Sequence, residues 1–175
     1  MKSKTALLAI LAITMTLMGA GLAEAATATG SVNLTAEVTS IAELTLGASV
    51  IDFPATNPST ASIPGVGTTS VSANVRTGSG STATLTALAA TDLKSGSDII
   101  SISNVTSTYT PTTGTGFFIA GTPIAMSTTS PGATLATGTA ASGSYTGTFT
   151  WAMANSWSYA NGNYTATINY LLTAP

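Results

Sequence analysis

Between Tyr145 and Met153 every second residue belongs in an apolar core. The line "YTGTFTWAM" carries Tyr145, Gly147, Phe149, Trp151 and Met153 on one side and Thr146, Thr148, Thr150 and Ala152 on the other. Side chains of an extended chain point alternately to opposite faces, so this pattern makes a strand with one apolar face and leaves an α-helix no continuous stripe. The pattern is written again nineteen positions later, where Tyr164, Ala166, Ile168, Tyr170 and Leu172 alternate with Thr165, Thr167, Asn169 and Leu171. Two strands built to one recipe are expected to lie side by side, antiparallel, and to face one core.

The same period governs other stretches. From residue 32 to 46 the even positions read Val32, Leu34, Ala36, Val38, Ser40, Ala42, Leu44 and Leu46, against Asn33, Thr35, Glu37, Thr39, Ile41, Glu43 and Thr45. This is one very long strand, or two with a bend near Ser40 and Ile41. The parity reaches back through Gly30, Ala28 and Ala26. Residues 53–67 hold three prolines and two glycines and read as a loop crossing an edge or one end of the domain. Val71, Ala73 and Val75 are separated from Ala83, Leu85 and Ala87 by "RTGSGS", which predicts a hairpin. Ile100 and Ile102 fall on one face of a further short strand, and residues 116–126 give one or two more, divided by Gly121 and Pro123. No long segment combines helical spacing with capping signals. The fold class is all-β: an antiparallel β-sandwich of about seven to nine strands.

Lys2 and Lys4 precede an apolar run over residues 6–22 and the small-residue site Ala23-Glu24-Ala25, the pattern of a secretory signal peptide with cleavage before Ala26. The expected organisation is a signal peptide over residues 1–25, an N-terminal extension over 26–38 and a β-sandwich domain over 39–175. No later run has the length and apolarity of a transmembrane segment, so none is expected in the mature chain. After cleavage Arg76 and Lys94 face Glu37, Glu43, Asp52, Asp92 and Asp98. Nucleic acid is a poor partner for so acidic and so sparsely charged a surface. The chain has no cysteine, so packing and strand pairing alone must stabilise it in a compartment that permits disulfides.

With neither His nor Cys there is no Ser-His-Asp arrangement, no thiol nucleophile and no zinc site of the usual ligands. An enzyme is not expected, and neither a cofactor nor a metal is. A glycosidase needs only two carboxylates about 5–10 Å apart, but Glu37, Glu43 and Asp52 read as solvent-facing charges that keep strand edges apart. Asp92 and Asp98 flank Ser95, Gly96 and Ser97 in a plain turn, without the dense acidic spacing of a calcium loop. "TGSGST" has no Lys and no following helix, so it is no phosphate cradle. Asn33, Asn104 and Asn163 begin glycosylation triplets of the kind that a chain rich in Thr and Asn produces by chance. Trp151 belongs to the apolar face of its strand. Trp157 and Tyr159 fall between the two matching lines, and two readings stay open: exposed rings that stack on a glycan or anchor an interface, or rings folded back over the end of the core.

"GNYTATINYLLTAP" resembles the closing strand of chaperone–usher fimbrial subunits and of spore-coat-U-like proteins, and "ATATGSVNLTAEVTSIAELTLG" resembles the start of the same subunits. The resemblance covers both ends of the mature chain and little of its middle. It implies an immunoglobulin-like sandwich left incomplete in the monomer, whose groove takes the N-terminal extension of the next identical subunit, so that subunits chain into a homopolymer. The inserting residues would be Ala26, Ala28, Gly30, Val32, Leu34, Ala36 and Val38, with a secretion chaperone and a surface anchor as further partners and the cell exterior as the location. Strand addition is a physically sound way for an extended segment to bind, the backbone supplying affinity and alternating pockets the register. "YTGTFTWAM" is also similar to the Trp-x-Leu line of cell-wall-binding surface domains, with Met153 in place of the Leu. The expected function is a structural subunit of an extracellular filament, fimbria or surface coat; the alternative is a carbohydrate-binding or adhesive module using Trp157 and Tyr159.

Overall fold

The computed structural model describes residues 31–47, 50–139 and 141–175. The chain divides between Glu37 and Val38. From Val38 onward it is an all-β sandwich of antiparallel ladders whose strands are β1 (Ile41–Leu46), β2 (Ser62–Pro64), β3 (Thr69–Arg76), β4 (Thr82–Ala89), β5 (Leu93–Ser95), β6 (Asp98–Ile100), β7 (Val105–Thr113), β8 (Ile124–Ala125), β9 (Ala133–Thr139), β10 (Ser142–Ala154) and β11 (Ile168–Thr173). Seven of these have six residues or more, which matches the expected number; the other four, of two or three residues, are pieces of loop too short to show a period.

One sheet runs β1-β3-β10-β7-β8, with β2 beside β10 beyond the end of β3; the other runs β11-β4-β9; β5 and β6 form a separate hairpin. The alternation of β10 appears as read: Gly147, Phe149, Trp151 and Met153 are buried and Tyr145 is half-buried, whereas Ser144, Thr150 and Ala154 face solvent. The Trp151 Nε1–H donates to Thr69 Oγ1 at 3.1 Å, giving its one polar atom a buried partner. Tyr109 stacks on Phe118 at 4.3 Å and tilts against Phe149 at 5.4 Å, forming an aromatic centre between the sheets. Its ring lies where a Cβ on Gly147 would stand, so only glycine fits there. Pro111 is opposite Gly147, beside the register shift between Thr146 and Gly147, a place where a missing N–H is tolerated.

Several pairings differ from the expectation. The two matching lines are not neighbours: β10 is central in the larger sheet and β11 is an edge of the smaller one. Strands that face each other across a core need the same alternation as strands that lie side by side, so the repeated line fits both arrangements. Nor do β3 and β4 form a hairpin, because they too lie in different sheets. Residues 77–81 arch between them, held by Ser81 N–H to Gly78 O (3.1 Å) and Thr77 N–H to Ala141 O (3.0 Å), with Gly80 at φ +80°. The apolar faces of β3 and β4 therefore meet across the core.

Neither reading of residues 32–46, one long strand or two with a bend, is found: only Ile41–Leu46 is a strand, paired with β3, and residues 32–40 join no ladder. Residues 53–67 form a loop that includes β2 and is pinned by Asn155 Nδ2 to the carbonyls of Thr56 and Asn57 (3.2 and 3.3 Å). Ile100 and Ile102 are both buried, but the strand stops at Ile100, and Ile102 opens a 3₁₀ turn whose N–H is taken by Asp92 Oδ1 at 2.8 Å. Phe117 and Phe118 are both buried, and this stretch makes single bridges in place of a ladder.

Candidate functional site

The edges of the sandwich are not finished alike. The outer edge of β9 is covered, since Ile119 N–H donates to Leu135 O and Thr137 N–H to Phe117 O, both at 3.0 Å. The last strand, β11, pairs with β4 along one edge, and its other edge has no ladder partner among the described residues. Natural edges are usually blunted by a charge, a proline or a bulge. The β11 sequence "INYLLT" has no charge, no proline and no glycine. β1, at the edge of the larger sheet, carries Glu43, which accepts from Asn74 Nδ2 at 3.0 Å. β1 and β11 approach each other on the same flank.

The side chains along this flank are apolar but only partly covered. Leu44 and Leu46 of β1 and Ile168, Tyr170 and Leu172 of β11 are half-buried and pack against the core cluster. Burial pushes the Tyr170 phenol up to about 12 from its ordinary 10.0. Just before β11, Tyr164 Oη donates to the Ala160 carbonyl at 3.0 Å, and burial followed by the Asp98 charge raises its pKa.

Of the residues expected to insert, Ala26, Ala28 and Gly30 lie outside the described residues. Val32, Leu34, Ala36 and Val38 carry no ladder hydrogen bonds and are exposed, Leu34 to 91%. Residues 31–38 thus present the alternation of a strand without a sheet around it.

The two ring residues divide between the two readings. Trp157 is 76% exposed, whereas Tyr159 is half-buried against the core cluster. Trp157 sits on a short turn in which Ser158 N–H donates to Ser156 Oγ (3.1 Å) and Ser156 N–H to Asn155 Oδ1 (3.0 Å). Asn155 also grips the loop around Thr56, so the indole stands on an ordered platform.

Two carboxylates make local hydrogen bonds, Glu43 with Asn74 and Asp92 with the Ile102 N–H, while Asp52 pairs through its backbone with Val66 and Asp98 begins β6 after the left-handed Gly96 turn. Among the described residues no three potential metal ligands gather, and no helix is long and apolar enough to cross a membrane. Sequence reasoning missed the bare β11 edge, whose available signal was six residues without a gatekeeper. Comparison with protein-family models, with curated proteins and with solved structures found no match to this chain.

Proposed function

We propose that this protein is a secreted structural subunit that polymerises by strand addition into a filament or surface coat, the segment ahead of β1 in one copy lying along the open β11 edge of the next. The observation that carries the reading is the bare edge of β11 above half-covered Ile168, Tyr170 and Leu172. An added strand satisfies that edge's outward N–H and C=O groups and brings apolar side chains over the flank. The exposed Val32, Leu34, Ala36 and Val38 offer such side chains at the required spacing of two. Sparse charge favours close packing of many copies, since few like charges repel.

The test is negative-stain electron microscopy of the chain from Ala26 beside one lacking residues 26–38. Thin fibres from the first and dispersed particles from the second are expected. Fibres from both would sink the reading, and so would stable monomers from the full mature chain at high concentration.

A second reading, an adhesive or glycan-binding module, has one observation in its favour: the exposed, platform-held indole of Trp157. It predicts that Trp157→Ala abolishes retention on a glycan array while leaving fibres intact. Strand addition predicts no effect of Trp157→Ala on assembly.

A further inference from the structure

Arg76 is the chain's only arginine, and its side chain stands in a setting that strand pairing does not require. It closes β3, with Ile41 of β1 on one side and Ser142 of β10 on the other. The guanidinium Nε–H donates to the Thr39 carbonyl at 2.7 Å, which fixes the plane of the group and leaves its terminal nitrogens to other partners. Beside it opens a groove of about 370 Å³ lined by Val38, Thr39, Ser40, Thr77, Ser79 and Ser142, within the size range of small-ligand sites. The hydroxyl-bearing residues Ser40, Ser79 and Ser142 are exposed. Gly78 completes the floor, its N–H taken by Pro175 O at 3.3 Å.

We infer that this groove binds a carboxylate-bearing sugar, a uronate residue of an acidic polysaccharide. A planar guanidinium held by one N–H presents a paired set of donors that matches a carboxylate. Three hydroxyls around it match the ring hydroxyls of a sugar, and Val38 gives the C–H face of the ring an apolar contact. The carboxylate of a protein side chain would use the cation and leave the hydroxyls idle, so the lining favours the sugar. The site is distinct from the Trp157 platform, and it shares Val38 with the segment proposed to add to a neighbouring copy.

The test is an NMR titration of the full mature chain at low salt with sodium glucuronate, with glucose and with N-acetylglutamate amide in parallel. Glucuronate is expected to shift the amides of Gly78, Ser79 and Ser142 with millimolar affinity, glucose not to shift them, and the glutamate derivative to bind about tenfold more weakly than glucuronate. Arg76→Gln should weaken glucuronate about tenfold or more, and Arg76→Lys by less. Because Arg76 also holds Thr39, a second variant leaves it in place: Ser79→Asp puts a like charge at the rim and should remove glucuronate binding with the rest of the spectrum unchanged. Equal shifts with glucose, equal affinity for the glutamate derivative, or full affinity in Ser79→Asp would each overturn the inference.

Discussion

β4 and β11 lie side by side in one sheet, with Leu85 opposite Leu172 and Ala87 opposite Tyr170, and both alternate apolar with polar residues. They have opposite fates. In β4, Ala83, Leu85 and Ala87 are completely buried, while the corresponding side chains of β11 stay half-covered. The sequences do not explain this, since β11 has the larger apolar residues. What differs is neighbours: β4 has a strand on each edge and β11 has one. A strand's own pattern decides which way it faces; the strands around it decide how far it is buried. An edge strand with larger apolar side chains than the central one leaves more apolar surface within reach of solvent.

That comparison can be broken by substitution. Leu85→Ala should cost about 2–5 kcal/mol in urea unfolding, as expected for a cavity in a close-packed core. Leu172→Ala, directly across the ladder, should cost the unassembled protein only about 1–2 kcal/mol, because the side chain is already partly in contact with water. Equal costs at the two positions would mean that the β11 flank is as closed as the centre. If strand addition covers this flank, the cost at Leu172 in fibres should rise toward that at Leu85.

Alkaline titration sharpens the same contrast by a smaller effect. The folded chain holds the Tyr170 proton more tightly than the unfolded chain, so the neutral phenol's contribution is intact below about pH 10 and is lost as the pH rises toward about 12. Tyr170→Phe should remove part of the alkaline loss of stability, with Tyr109 and Tyr164, whose pKa values are also raised, contributing to the remainder. If strand addition covers Tyr170, the alkaline loss in fibres should begin at higher pH than in monomers, as followed by phenolate absorbance. The smallest effect belongs to Trp157→Ala, which should change stability by no more than about 0.5 kcal/mol in thermal unfolding, since the ring contributes little to the core.

The facing of strands was legible from the sequence, and their membership in sheets was not. Tyr145 to Met153 turns inward as the alternation requires, and so do Val71, Ala73, Val75, Ala83, Leu85 and Ala87. A period of two says nothing about whether two inward faces sit in one sheet or confront each other, and a glycine-bearing link such as residues 77–81 serves a hairpin or an arch equally well. For the same reason two similar lines near the end of the chain looked like neighbours. Phe117 and Phe118 were hidden because they are buried by irregular backbone, which has no period to read. The exposure of Trp157 was legible as one of two readings, from its place in a polar connection. Arg76 drew notice only as a charge, because the groove beside it is assembled from three separate stretches of chain.

The ring of Tyr109 resting on Gly147 has a consequence for how such a chain can change through time. A side chain on residue 147 would collide with the phenol and with the Thr110 carbonyl, which is backbone, so the glycine is fixed whatever residue stands at 109. The buried Tyr109 hydroxyl, in turn, has no hydrogen-bond partner among the described residues, so a smaller apolar residue there would leave no stranded polar group. The constraint therefore runs one way: position 109 is free to lose its hydroxyl, as in Tyr109→Phe, while position 147 stays glycine. Among diverging descendants of this sequence, residue 147 should stay glycine while residue 109 varies among apolar and aromatic types.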